Sequence, residues 1–177
     1  PAISTVIMTA ALVTLVLVAV AYANNYLNVQ MAGNEFSADG QFMLSTGLQI
    51  DAVAWTIGAT QTVQYTVRYA QVTFVPAILN YTFEINTGTS YQTVYSCTTG
   101  MILVNMPVIN YNLGKNYFSR IFPTSNGSIL QWGASAPVSQ VFATEKAPMA
   151  DGSYARIVAV PVVRLLNSTL AGGTQSY

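Results

Sequence analysis

Histidine is absent from this 177-residue chain, and cysteine occurs once, at Cys97. Without histidine, nothing unperturbed titrates between about pH 5 and 8 except a terminal amine, and the commonest general base and metal ligand are both missing. Cys97 has no partner for an intramolecular disulfide and reads as a small apolar core residue. Charge is scarce too. Asp, Glu, Lys and Arg make up 7% of the chain, against about 25% in an average soluble protein, and the formal net charge is zero. The basic residues are scattered between Arg68 and Arg164, which leaves no basic patch for nucleic acid. The nucleotide loops G-x-G-x-x-G and G-x-x-x-x-G-K-[ST] and the G-x-S-x-G elbow do not occur. The carboxylates Glu35, Asp39, Asp51, Glu84, Glu145 and Asp151 are dispersed. Two of them could meet as a glycosidase-type dyad, but solvated or salt-bridged carboxylates are the plainer reading. No catalytic, cofactor or metal site is expected.

The first charge of any sign is Glu35, and no Lys or Arg precedes Arg68. The opening stretch "STVIMTAALVTLVLVAVAYANNYL" contains an apolar run from Val6 to Ala23, long enough for a transmembrane helix. A secretory signal peptide would begin with a basic region. None is present, and the chain starts with Pro1 rather than Met, so it is expected to be already processed. Proline is tolerated at a helix start, where its missing N–H would have no partner. A helix from Ala2 to Ala32 would be roughly 45 Å long, more than the about 30 Å of a hydrocarbon core.

The two halves of that helix differ. At about 100° per residue, Ile3, Val6, Ile7, Leu12, Val13, Leu15, Val16, Leu17 and Val20 cover every side, so this half needs apolar surroundings all round. From Tyr22 to Ala32 a face emerges: Tyr22, Tyr26 and Leu27 share an arc with Ala23 and Val29, opposite Asn24, Asn25 and Asn28. This second half is expected to dock its apolar arc on the rest of the same chain. The chain thus divides into a hydrophobic helix, residues 1–34, and a globular head, residues 35–177, of which "AGNEFSADGQ" (Ala32–Gln41) is the nearest thing to a linker.

From Gln41 onward the pattern becomes period two. "QTVQYTVRY" alternates strictly, "AQVTFV" follows after a phase slip near Tyr69–Ala70 that suggests a bulge, and Pro76 ends or bends the strand. "ILNYTFEI", "YQTVYS", "MILVNM", "NYFSRIF", "SILQW", "VSQVFA" and "YARIVAVPVVRLL" are further strands, with turns at Gly88, Gly100, Gly114, Asn126–Gly127, Gly133 and Asp151–Gly152. Pro161 argues that the last run is an edge or a bulge. The expected fold is α+β: a long hydrophobic helix followed by an all-β, sandwich-like (Ig-like) head. Three N-x-[ST] sequons, at Asn80, Asn126 and Asn167, are candidate N-glycosylation sites if the chain is exported. With 52% apolar residues and few charges, much of the surface is expected to face other copies, lipid or sugar.

The N-terminal "PAISTVIMTAALVTLVLVAVAYANNYL", followed directly by a β-rich head, resembles a mature type IV pilin, and more particularly an archaeal one. The run "LQIDAVAWTIGATQTVQYTVRYAQVTF" (Leu48–Phe74) is similar to the first head strands of crenarchaeal pilins. Together these stretches cover about a third of the chain. Bacterial type IV pilins typically carry Glu at the fifth mature position; here it is Thr5, which suits archaeal pilins and archaellins. The resemblance implies a class III signal peptide cut just before the hydrophobic run, a subunit held in the membrane, and extraction by an assembly ATPase and platform protein. It further implies an extracellular helical homopolymer built through the helix residues named above. The competing readings are an archaellin-type motility filament, a single-pass anchored surface module that binds sugar or protein, and an anchored hydrolase. The continuous helix and the missing stalk favour the filament. No nucleic-acid partner is expected.

Overall fold

A computed structural model describes residues 2–56, 58–125, 127–133, 135–145 and 152–165. One helix, α1 (Ala2–Val53), is followed by β1 (Gln71–Asn86), β2 (Tyr91–Pro107), β3 (Tyr117–Phe122), β4 (Leu130–Trp132), β5 (Ser139–Glu145), β6 (Tyr154–Pro161) and β7 (Val163–Leu165). The α+β class stands. The sandwich does not emerge among the described strands, which form one five-stranded antiparallel sheet, β1-β2-β6-β5-β3, and a parallel β4-β7 pair. The helix takes the place of a second sheet against one face.

The helix does not stop near Asn34; it continues to Val53, about 78 Å at 1.5 Å per residue. The segment expected to be a linker and the first head residues are therefore helical. The buried positions there are Ala32, Phe36, Asp39, Met43 and Thr46, spaced alternately four and three apart, which keeps one seam on one side of a helix. Against that seam lie Val104 and Met106 of β2, Val141 and Ala143 of β5, and Ala155, Ile157 and Ala159 of β6, each set at period two. Burying Phe36 and Met43 contributes about 1.5–3 kcal/mol apiece. After Val53, Ala54 N–H still reaches Ile50 O (3.0 Å), Thr56 N–H closes a tighter turn on Val53 O (3.0 Å), and Gly58 (φ +80°) redirects the chain.

Gly33, Gly40 and Gly47 repeat at two-turn intervals on the same side of the helix. A Cβ on Gly47 would stand 2.9 Å from Val141 Cγ2, and one on Gly33 3.0 Å from the Tyr111 ring. Gly33 and Gly47 are there for close approach, and Ser139 Oγ–H donates to Gly47 O across the contact (2.9 Å).

"QTVQYTVRY" is not a strand. The chain from Ala59 to Tyr69 is without strand pairing and lies along the helix, with Tyr65 stacked on Phe42 at 4.1 Å between centroids. Its period two reflects side chains alternating toward the helix rather than toward a neighbouring strand. "AQVTFV" and "ILNYTFEI" are one strand, bent at Pro76 by a bulge: the register with β2 shifts between Val75 and Leu79, with Ala77 at φ +58°, whereas the bulge expected near Tyr69–Ala70 is instead a bend ahead of β1. Gly100, expected at a turn, lies within β2 opposite that bulge, where a Cβ would meet Val75 O at 2.7 Å. "YQTVYS" and "MILVNM" are therefore also one strand. Pro161 closes β6, which is a central strand and not an edge. Before Ile102, from Tyr91 to Met101, β2 has only β1 as a partner, so the outer part of this hairpin projects as a two-stranded ribbon.

Candidate functional site

Every residue expected to drive polymerisation lies on the helix ahead of the head and is uncovered. Ile3, Val6, Ile7, Leu12, Val13, Leu15, Val16, Leu17, Val20, Tyr22, Tyr26 and Leu27 are each more than half exposed. The helix is long and apolar enough to cross a membrane. The two threonine hydroxyls inside its apolar run make no demand on what surrounds it: Thr9 Oγ1–H donates to Thr5 O and Thr14 Oγ1–H to Ala10 O, both at 2.8 Å. A helix with its hydroxyls satisfied internally suits lipid or a dry bundle of like helices.

The expected docking of Tyr22–Ala32 on the same chain is corrected in two respects. Docking begins at Ala32, where that stretch ends. The side that approaches the head beforehand is mainly the asparagine side, with only the Val29 edge of the apolar arc: Asn25, Asn28 and Val29 line a cleft with Arg68, Tyr69, Ile109 and Asn110, and Tyr69 Oη–H donates to Asn28 Oδ1 (3.4 Å). Tyr22, Tyr26 and Leu27 are left uncovered. The reason is local. Glu35 Oε1 accepts the backbone N–H groups of Arg68 (2.8 Å), Tyr69 (2.7 Å) and Ala70 (3.1 Å), which pins the polar turn before β1 to the helix just above the asparagines.

Two more carboxylates serve the same purpose. Asp51 Oδ1 accepts Val138 N–H, and Glu145 Oε2 accepts Leu113 N–H (2.6 Å) and Gly114 N–H (3.2 Å). Asp39 differs. It is fully buried on the docking seam, and neither carboxylate oxygen has a hydrogen-bond partner. Burial first, and the charge of Glu35 one turn away second, push its carboxyl up to about 7. Glu35 and Asp39 are thus brought together, but with Asp39 sealed in the seam they do not frame a substrate. Among the described residues, no group of three or more metal-ligating side chains converges. Sequence reasoning missed the clamps and the seam because single Glu and Asp residues and spaced glycines carry no motif.

Asn80 is exposed on β1, with its Oδ1 accepting from Ser96 Oγ (3.0 Å). Asn126, Asn167 and Asp151 lie outside the described residues. Cys97 is half-buried on β2 opposite Tyr81. Comparison with protein-family profiles, with curated proteins and with solved structures gave no match to this chain.

Proposed function

We propose that this chain is the structural subunit of an archaeal type IV adhesion pilus, polymerising through the helix ahead of its head into an extracellular filament. The observation that carries the reading is the continuity of α1. One helix is bare and apolar on all sides from Ile3 to Val20, gains a polar face from Tyr22, and is docked in the head from Ala32, with no break in the helix between. A membrane tether has no need of that rigidity. A subunit whose head position must follow from its helix position does. The bare half is apolar on all sides, so in water each large side chain forfeits about 1.5–3 kcal/mol relative to burial. Lipid removes that loss before assembly, and a bundle of identical helices removes it afterwards. Because each copy presents different surfaces to its neighbours, the contact repeats without closing and gives a filament.

The signal peptidase, assembly ATPase and platform protein follow from the family resemblance, and the filament's own copies are its principal partners. An archaellin-type filament shares the helix logic. Negative-stain microscopy of material sheared from the cells, with mass spectrometry of the sheared band, tests the proposal. Filaments composed of this chain are expected. Detergent-extractable monomers without filaments would point instead to a single-pass anchored binding module.

A further inference from the structure

The neck cleft has three features that a filament contact alone does not explain. The first is position. From Ile3 to Ala23 the helix rises about 30 Å, the thickness of a hydrocarbon core, so Asn25 and Asn28 stand where the apolar span ends. The second is charge. Arg68 is the first basic residue of the chain, and Glu35 holds its backbone to the helix beside those asparagines. Its guanidinium lies over the Tyr69 ring, 5.2 Å from the centroid, and among the described residues no carboxylate forms an ion pair with it. The third is Ile109. It sits in the turn closed by Asn110 N–H and Tyr111 N–H on Pro107 O, is 90% exposed, and lines the same cleft of about 300 Å³ as Arg68 and Asn110.

We propose that this cleft binds the headgroup of an anionic phospholipid while the subunit is held in the membrane. The inference rests on the membrane-held half of the proposed function and does not need the filament. Arg68 supplies the cation for the phosphate, and Asn25, Asn28 and Asn110 supply amide donors around it. Ile109 dips into the edge of the hydrocarbon, and Tyr22 and Tyr26 occupy the depth at which aromatic rings gather in bilayers. The stacked Tyr69 ring keeps the guanidinium on the cleft side. A headgroup so held fixes both the depth and the rotation of the subunit in the bilayer.

The test uses the full chain reconstituted in vesicles of a zwitterionic lipid mixed with an anionic one. A fluorophore is placed at the tip by Ile109→Cys in a Cys97→Ser background, and in a second sample at Val13→Cys. A quencher is attached to the headgroup of either lipid or to the acyl chains. The Val13 probe should be quenched from the acyl region. The Ile109 probe should be quenched about fivefold more by the anionic than by the zwitterionic headgroup, the equivalent of about 1 kcal/mol for one interfacial arginine. Arg68→Gln should bring the two to parity, and Arg68→Lys should restore part of the difference. An Ile109 probe that ignores lipid identity or Arg68, with Val13 still in the acyl region, would overturn the headgroup site and leave the span standing. Loss of the preference on adding inorganic phosphate would overturn the lipid assignment. So would quenching that follows protein density, since the cleft would then be taking a second copy. A Val13 probe outside the lipid would overturn both the site and the membrane-held state.

Discussion

Asp39 is a carboxyl set among apolar side chains with no hydrogen bond to either oxygen, and its effect on stability has a definite sign. Its folded-state value of about 7 lies above the ordinary 3.8, so the native chain holds the proton more tightly than the unfolded chain. Native stability is therefore undiminished below about pH 4, declines as pH rises toward 7, and levels off above that. Asp39→Asn should remove this slope. Denaturant titrations of the detergent-solubilised chain are expected to show the variant gaining on the wild type from pH 4 to 7, to a margin of about 2–4 kcal/mol at pH 8. Curves that stay parallel across that range would mean that Asp39 is solvated. Glu35→Gln tests the neighbouring clamp. It keeps an acceptor oxygen but loses the charge, so each bond to the turn should weaken from about 1.5–3 kcal/mol toward about 1. Hydrogen exchange at Arg68, Tyr69 and Ala70 should quicken, and the Asp39 midpoint should move to lower pH because the repelling charge is gone.

At the scale of elements, the seam between α1 and the sheet makes a prediction that helix propensity alone does not. Replacing a helical glycine by alanine ordinarily gains about 1 kcal/mol. Gly40→Ala should show that gain, since its Cβ would come no nearer than 3.9 Å to Ile121 Cδ1. Gly47→Ala should lose about 1–3 kcal/mol net, because its Cβ would collide with the buried Val141 and crowd Ser139. Thermal melts of the two variants should therefore move in opposite directions. The same seam shows what was legible in the sequence. The helix, its apolar side chains, the bend at Pro76 and most of the strands could be read from period and from proline, while the bulge was expected a few residues too early, near Tyr69–Ala70. The helix end could not. Gly33, Asp39 and Gly40 look like a linker when judged one at a time, and only the approach of Gly33 to Tyr111 and of Gly40 to Ile121, with Asp39 buried between them, makes them a helix face. "QTVQYTVRY" failed for the converse reason. Its alternation is real, but Tyr65 finds its partner in Phe42 on the helix, and periodicity cannot say which element supplies the partner. Of the candidate site, the exposed apolar side chains of the helix were legible because they form one long run. Arg68 and Ile109 were not, because they come to the neck from turns distant in sequence.

At the scale of the whole molecule, two of the exposed apolar surfaces are extended enough to matter for assembly. One is the bare helix. The other is the outer β1–β2 ribbon, where Phe83, Ile85, Tyr91, Val94 and Tyr95 are exposed. A two-stranded ribbon is marginal in water by itself, so packing against neighbouring heads would stabilise it in a filament. The helix carries the larger share, and its absence of charge from Pro1 to Asn34 is the condition for a dry bundle. A carboxylate placed there would cost several kcal/mol in every subunit of the polymer. The most direct measurement is filament yield from cells expressing Val13→Asp or Leu17→Lys, counted by microscopy of sheared material. The near-ultraviolet circular dichroism of the extracted chain serves as a check on the head, which neither position touches. The account predicts an intact head spectrum and no filaments. Normal filament yield from either variant would contradict it.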